Sequence, residues 1–235
     1  MTALKIVIIG GGSYAWSPQL IRDLFNTPTL QGSTLVLHDI DPEPLEVVFA
    51  LARKMLEAHD TGWRLHRTTR LAEALPGADL VLLTITTGGL EAMRADIEIP
   101  EQYGVYHSVG DTVGPGGLSR ALRNIPVVVD IARQMSQLCP DAWLINYTNP
   151  MTTLCRAVTR ETAIKTIGLC HEFVGVRRAI QAVLDVANPD DLVARVGGIN
   201  HLDGKNLPSK TAIAQITVDL HKTKILDTSG TETKI

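Results

Sequence analysis

Short apolar runs alternate along most of the chain with longer segments in which apolar residues recur every three or four positions. The short runs are rich in Val, Ile and Leu and have the length of strands, whereas the longer segments have the period of a helix. Strands are predicted at residues 4–9, 34–38, 64–67, 78–85, 142–146 and 164–168. This alternation is typical of a parallel sheet with crossover helices, so we predict an α/β fold with a doubly wound sheet.

Two of the crossover helices have a recognisable start. Ser17 precedes Pro18 and Asp41 precedes Pro42, which is the order of a capping residue and a first helical residue. Apolar residues at helical spacing follow each pair, so helices are predicted at about 18–26 and 42–59.

A glycine-rich turn joins the first predicted strand to the first predicted helix. It reads Gly10-x-Gly12-Ser13-x-Ala15, a spacing at which the backbone turns tightly and approaches a pyrophosphate at the helix N-terminus. The second strand ends at Asp39, whose carboxylate is then expected at the adenosine ribose, where it would repel a 2′-phosphate. We therefore predict a Rossmann-like domain that binds NAD through Gly10, Gly12, Ser13 and Asp39. A turn without a ligand, in which Asp39 caps the next loop, is the alternative.

Composition mainly excludes other classes of protein. The 235 residues, 45% of them apolar, are enough for one large domain or for one domain and part of another. A net charge of −3 without a massed basic stretch argues against nucleic acid or a membrane surface as a partner. The N-terminus has no signal-peptide pattern and the three cysteines have no paired spacing, so a cytoplasmic protein without disulfides is expected.

The segment 103–126 is unusual because five glycines crowd it. Glycine-rich segments cost backbone entropy, so this one is expected to be a functional loop or a surface excursion. Asp111, Arg120 and Asn124 are candidate contacts for a polyhydroxylated or acidic substrate, and Arg94 upstream is a fourth. Solvated charge and local caps explain any one of them equally well.

Polar side chains also follow the last two predicted strands. Asn149-Pro150 closes the fifth strand and is expected to present the Asn149 amide to the crevice at the sheet edge. Cys170 and His171 close the sixth strand, and His201 follows a further apolar run. One cysteine and one histidine 31 residues apart fall short of a recognisable zinc site. On spacing alone, Cys170 fits a buried core residue better than a metal ligand.

Five segments taken together resemble the NAD- and manganese-dependent glycosidases of glycoside hydrolase family 4. They are, in order, GGGSYAWSP, DTVGPGGLSRALRNIP, NYTNP, GLCHEF and GINHL, and they fall within about residues 4–202. The resemblance implies redox-assisted elimination in place of the usual two-carboxylate scheme of glycosidases. In that reaction NAD⁺ takes hydride from sugar C3, a base removes the acidified C2 proton, and the aglycone leaves from C1. Water then adds and the stored hydride returns to C3. Mn²⁺ stabilises the enediolate.

The resemblance also implies roles for particular residues. Cys170 and His201 become the two protein ligands of Mn²⁺, with sugar oxygens and water completing the shell. Asp111 and His171 become catalytic residues, Asp111 at the sugar hydroxyls and His171 as an acid for the leaving group. Asn149 becomes a further contact of the sugar hydroxyls.

The residue after the cysteine carries information about the substrate. In the family a histidine at this position, here His171, accompanies unphosphorylated sugars. The implied substrates are therefore α-glucosides, α-galactosides or hexuronides. Arg94 or Arg120 is a candidate partner for a uronate carboxylate, but arginine also suits neutral sugars through hydroxyl contacts, so the choice stays open.

Members of the family are considerably longer, and their second half carries the base, much of the sugar pocket and the oligomer interface. We expect residues 1–202 to form the NAD-binding domain with part of the sugar and metal site, and residues 203–235 to be a divergent or truncated tail. Turnover by this chain alone is predicted to be weak or absent, and homo-oligomers are expected for full-length members. A dehydrogenase of the lactate/malate type, which shares the fold, and a non-catalytic NAD-binding remnant stay open as alternatives.

Overall fold

A computed structural model of the chain describes residues 3–57, 62–107 and 109–170, together with short pieces at 175, 178, 181–183, 192–197, 215–220, 225–226 and 232–233. The chain divides into two compact units, Met1–Leu169 and Cys170–Ile235. The boundary predicted at residue 202 lies outside the described residues and stays a prediction.

The first unit contains a six-stranded parallel sheet. Its order is β3-β2-β1-β4-β5-β6, with β1 at Lys5–Ile9, β2 at Thr34–His38, β3 at Arg64–Thr68, β4 at Leu80–Leu83, β5 at Trp143–Asn146 and β6 at Lys165–Gly168. All six strands predicted from the sequence are therefore present. The central strand β1 pairs Val7 with Val36 of β2 on one side and with Val81 of β4 on the other.

Helices connect the strands. They are α1 (Ser17–Phe25), a 3₁₀ turn (Pro28–Leu30), α2 (Pro42–Glu57), α3 (Leu71–Ala74), α4 (Gly89–Glu101), α5 (Gly114–Leu138) and α6 (Met151–Glu161). The predictions of α1 and α2 are confirmed. Within the described ranges, no helix combines the length and the apolar character needed to cross a membrane.

The two faces of the sheet are covered by different helices. Val7 and Ile9 of β1 pack in one apolar cluster with α3, α5 and α6, whereas Ile6 and Ile8 pack in a second cluster with α1 and α2. This alternation follows from the period of two along a strand, and burial of both faces explains why β1 is a continuous apolar run. The sheet is doubly wound, as predicted.

The expectation of a loop over residues 103–126 is wrong from residue 114 onward, where the 25-residue helix α5 begins. Pro115 is tolerated because it lies in the first turn, where its missing N–H has no helical partner. Gly116 serves close packing, since a Cβ there would lie 2.7 Å from the carbonyl oxygens of Asp96 and Gly110. The glycines therefore let α5 approach neighbouring backbone.

The strand order places a topological switch point between β1 and β4. In open α/β sheets, ligands bind in the crevice beyond the carboxyl ends of the strands at such a point. The turns that follow β1, β2, β4 and β5 are therefore the segments in which to look for a site.

The second unit is described in short strands. β7 (Leu192–Gly197) pairs antiparallel with β8 (Gln215–Leu220), and β9 (Ile225–Leu226) pairs antiparallel with β10 (Glu232–Thr233).

Candidate active site

The glycine turn after β1 is held against the ends of β2 and β4. The Gly10 amide donates to the His38 carbonyl oxygen at 2.9 Å, and the Gly12 amide donates to Asp39 Oδ2 at 2.9 Å. Gly10 has a φ of +88°, and a Cβ there would collide with the Thr84 carbonyl group. Both the backbone conformation and the close approach therefore require glycine.

The start of α1 differs from the sequence prediction. Ser17 does not cap the helix, because its buried hydroxyl donates to the Gly10 carbonyl oxygen at 3.1 Å. Ser13 makes the cap-like contact, since its hydroxyl accepts the Trp16 amide at 3.2 Å. The prediction of Ser17 as the cap is therefore wrong, and Ser17 instead ties the helix to the glycine turn.

The start of α2 agrees with the sequence prediction, because the Asp41 carboxylate accepts the Glu43 amide at 3.0 Å.

Thr148 joins the carboxyl ends of β4 and β5. Its hydroxyl accepts the Ile85 amide at 2.9 Å and donates to the Leu83 carbonyl oxygen at 3.4 Å. Its own amide donates to Asn146 Oδ1 at 2.9 Å. Thr148 is buried, so these bonds fix the position from which the next residue, Asn149, extends.

The structure brings two of the predicted site residues into contact. Asn149 Nδ2 donates to Asp111 Oδ2 at 3.0 Å, although 38 residues separate the two along the chain. Asp111 Oδ1 accepts the Thr112 hydroxyl at 2.8 Å, and Asn149 Oδ1 accepts the Met151 amide at 3.3 Å. The peptide bond between Asn149 and Pro150 is cis. An amide donor beside a carboxylate acceptor suits sugar hydroxyls, which both donate and accept hydrogen bonds.

Arg120 and Asn124 both hold the main chain of Asn149. Arg120 Nε donates to the Asn149 carbonyl oxygen at 3.2 Å, and Asn124 Nδ2 donates to the same oxygen at 2.9 Å. Arg120 Nη2 also reaches Thr86 Oγ1 at 3.5 Å, and Asn124 Oδ1 accepts the Thr87 amide at 3.3 Å. Both side chains come from α5 and are buried. The predicted contact between Arg120 and a substrate stays a prediction.

Arg94 lies on α4 with its side chain 72% exposed, and its Nε is 3.8 Å from Glu98 Oε1 one turn along the helix. Its predicted contact with a substrate also stays a prediction.

Sequence reasoning missed a buried ion pair between α4 and α5. Arg123 Nη2 donates to Asp96 Oδ2 at 2.5 Å and Arg123 Nη1 donates to Asp96 Oδ1 at 2.9 Å. The Asp96 side chain is 2% exposed and the Arg123 side chain 27%. The sequence contained one indication that Asp96 is buried: it lies four residues before Pro100, so both residues fall on the same face of α4, and that face is buried.

The pKa of Asp96 reflects two opposing effects. Burial by itself would raise it, but hydrogen bonds from Arg123 and Ser119, together with the charge of Arg123, outweigh burial and lower the pKa below its usual value. The same pairing raises the pKa of Arg123. The pair is therefore charged in the folded protein near neutral pH.

The predicted metal ligands are described only in part. Cys170 is half-buried, whereas His171 and His201 lie outside the described residues. Among the residues that the structure describes, no group of three or more His, Cys, Asp or Glu side chains is arranged to hold a metal ion. The roles of Cys170, His171 and His201 stay predictions.

Comparison with solved structures first shows the fold class to which this chain belongs. Lactate dehydrogenase from Eimeria maxima matches with a TM-score of 0.61 at 19% identity, covering 84% of this chain and 53% of that protein. At this identity the likeness shows the fold alone. It confirms the predicted Rossmann-like fold of the lactate/malate dehydrogenase type.

Sequence comparison then identifies the family. The model of family 4 glycosyl hydrolases matches residues 5–186. An alpha-galacturonidase from Thermoanaerobacterium saccharolyticum is 42% identical over 208 residues, covering 84% of this chain and 44% of that protein. An alpha-glucosidase from Erwinia rhapontici is 38% identical over 201 residues, covering 85% and 44%. The chain belongs to family 4 of the glycosyl hydrolases, as the five motifs predicted.

A solved member of the group carries both predicted cofactors. The structure of a 6-phospho-alpha-glucosidase from gut microorganisms in complex with NAD and Mn²⁺ matches with a TM-score of 0.76 at 25% identity. The match covers 85% of this chain and 45% of that one. The chain thus spans less than half the length of each of these three relatives.

Proposed function

We propose that this chain is the cofactor-carrying part of a glycosidase that cleaves unphosphorylated α-glycosides with the help of NAD⁺ and Mn²⁺. The observation that carries the proposal is the contact between Asp111 and Asn149 after the end of β5, one strand from the switch point. Family membership supports glycosidase chemistry, and the relative bound to NAD and Mn²⁺ supports both cofactors.

The glycine turn fits a dinucleotide. A Cβ on Gly12 would lie 2.9 Å from Asp39 Oδ2, so glycine lets the turn lie against the carboxylate that is proposed to take the ribose hydroxyls. The amides of residues 10–13 are bonded within the protein. We therefore expect the amides of Tyr14 and Ala15, two exposed residues before α1, to face the pyrophosphate.

Cys170 and His201 are the proposed ligands of the cation. Two protein donors leave open coordination positions, which a catalytic ion uses for substrate and water. Mn²⁺ prefers oxygen ligands to a soft thiolate, and sugar oxygens and water satisfy that preference at the open positions.

The residues of the chain bind and orient the sugar. When bound, NAD⁺ accepts hydride and Mn²⁺ acts as a Lewis acid on sugar oxygens. The Asp111 carboxylate accepts hydrogen bonds from sugar hydroxyls, and the Asn149 amide donates to them, so the ring is held in one orientation. His171 is proposed to protonate the leaving oxygen.

α-Galacturonides are the first substrates to test. The alpha-galacturonidase relative is 42% identical and the alpha-glucosidase relative 38%. Arg94 and Arg120 are the candidate partners of the uronate carboxylate. Arg120 Nε already donates to the Asn149 carbonyl oxygen, so a contact with the carboxylate would use its remaining N–H groups.

Calorimetric titration tests the cofactor half of the proposal. We expect NAD⁺ and Mn²⁺ to bind the chain, and Cys170→Ser to abolish Mn²⁺ binding while NAD⁺ binding persists. Cys155→Ser is the matched control, because it also replaces a half-buried thiol and should leave Mn²⁺ binding intact. If NAD⁺ binds but Mn²⁺ does not bind at all, the proposal is contradicted.

A second measurement separates the alternatives. Binding of p-nitrophenyl α-galacturonide that requires NAD⁺ and is lost with a chelator supports the glycosidase. Reduction of NAD⁺ by a small hydroxy acid, unaffected by a chelator, would instead indicate a dehydrogenase. Efficient glycoside cleavage by this chain alone would overturn the prediction of weak turnover.

A further inference from the structure

Asn124 is a buried side chain that the proposed chemistry does not use directly. It lies on α5 and is 0% exposed. Its Oδ1 accepts the Thr87 amide at 3.3 Å, and its Nδ2 donates to the Asn149 carbonyl oxygen at 2.9 Å. One side-chain amide therefore links the turn after β4 to the turn after β5.

Hydrogen bonds hold both the main chain and the side chain of Asn149. The carbonyl oxygen is held by two donors, Asn124 Nδ2 and Arg120 Nε. The Asn149 side chain extends from the same residue, and its Oδ1 accepts the Met151 amide at 3.3 Å. With these three contacts in place, Asn149 Nδ2 points to Asp111 at 3.0 Å.

We propose that Asn124 is a positioning residue, which holds the Asn149 carbonyl so that the Asn149 amide faces Asp111 before a sugar binds. The consequence for sugar binding rests on the proposed function, whereas the geometric effect on Asn149 does not. A preformed pair avoids the entropic cost of ordering both groups when the ligand arrives.

The chemistry of the site explains why this residue is an asparagine. The Thr87 amide needs an acceptor and the Asn149 carbonyl needs a donor, and a buried polar group without a partner is costly. An asparagine side chain supplies one of each at the required separation. An aspartate of the same size would set an oxygen against the Asn149 carbonyl, and an alanine would satisfy neither group.

The test follows the Asn149 side-chain amide by NMR. Its NH₂ resonance is assigned by its loss in Asn149→Asp, and its exchange with water is measured in the 235-residue chain. We expect Asn124→Asp and Asn124→Ala to shift the resonance and to speed exchange at least tenfold. Asn124→Ala keeps the test open if the buried charge of Asn124→Asp prevents folding.

Val128→Ala is the matched control, because Val128 lies one turn further along α5 and is buried in the core. It should lower stability without changing the Asn149 amide signal. An unchanged Asn149 signal in folded Asn124→Ala, or an equal change in Val128→Ala, would overturn the inference.

Ligand binding supplies a second readout in the presence of NAD⁺ and Mn²⁺. For Asn124→Ala we expect the Kd of D-galacturonic acid to rise at least tenfold and the Kd of NAD⁺ to stay within twofold. Equal weakening of both ligands would count against a positioning role. Failure of the unmodified chain to bind the sugar would contradict the proposed function, and the amide measurement would still decide the inference.

Discussion

The glycine turn and the Asp111–Asn149 pair lie at the same edge of the sheet, but they are held in different ways. In the turn, backbone groups bond to the end of β2, and the essential feature is the absence of side chains at Gly10 and Gly12. The Asp111–Asn149 pair depends on side chains, including Asn124 of α5. The glycine turn also meets distant residues, but a short run of glycines is enough to mark it in the sequence. The Asp111–Asn149 pair has no such local mark, because it depends on which distant side chains the fold brings together.

The largest expected loss of stability comes from a substitution at Gly10 in the glycine turn. In Gly10→Ala, a positive φ is forced on a residue with a Cβ, and that Cβ meets the Thr84 carbonyl group. Strained backbone and overpacking each cost 1 to 3 kcal/mol, so we expect the free energy of unfolding to fall by about 4 kcal/mol in urea titration. NAD⁺ binding should be lost.

Gly32 is the matched control for Gly10. Its φ of +78° is similar, but nothing lies within 4 Å of the position a Cβ would take. Gly32→Ala should therefore cost only the backbone strain, about 1 kcal/mol. Equal losses in the two variants would show that close packing does not matter at the glycine turn.

Among the contacts made by side chains, the ion pair between Asp96 of α4 and Arg123 of α5 should contribute most to the free energy of unfolding. Arg123→Met leaves the Asp96 carboxylate buried without its partner, so we expect a loss of about 3 kcal/mol in the free energy of unfolding. Arg133→Met is the control, because Arg133 pairs with Glu161 at 2.9 Å but both side chains are more than half exposed. Its loss should stay below about 1 kcal/mol, and a similar loss in both would contradict the argument.

The same pair predicts a pH dependence. Because the folded pKa of Asp96 lies below its unfolded value of 3.8, the stabilisation is complete above that value and is lost as the pH falls through the folded pKa. Between the two pKa values the unfolding free energy should fall by up to about 1.4 kcal/mol per pH unit more than in Asp96→Asn. Identical acid unfolding curves would show that Asp96 is not the responsible group.

The difference between the regions also explains how much the sequence could predict. The strands and the glycine turn follow from apolar runs and from glycine spacing over a short stretch, and both lie where the sequence predicted them. Asp39 accepts the amides of Gly12 and Asp41, and its contact with a ribose stays a prediction. Asp111 and Asn149 were found as candidates, but their contact depends on the path of α5. The first half of that helix, up to residue 126, was itself taken for a loop, because its first turns are rich in glycine.

Two other contacts could not be predicted from short stretches of the sequence. The pairing of Asp96 with Arg123 joins two helices across 27 residues, and no short-range pattern specifies which charges meet. Ser17 has the sequence of a helix cap, yet the turn brings the Gly10 carbonyl oxygen within reach of its hydroxyl. Tertiary contacts therefore decided both cases.

The smallest expected effect concerns the choice of cofactor at Asp39. Asp39→Asn removes the charge that is proposed to repel a 2′-phosphate, an interaction worth about 1 kcal/mol at 4 Å in water. The preference for NAD⁺ over NADP⁺ should therefore fall about fivefold, measured as the ratio of the two dissociation constants. Glu43→Gln, which removes a nearby exposed charge in the first turn of α2, should leave the ratio unchanged. Equal changes in both variants would mean that overall charge, and not the position of the carboxylate beside Gly12, sets the preference.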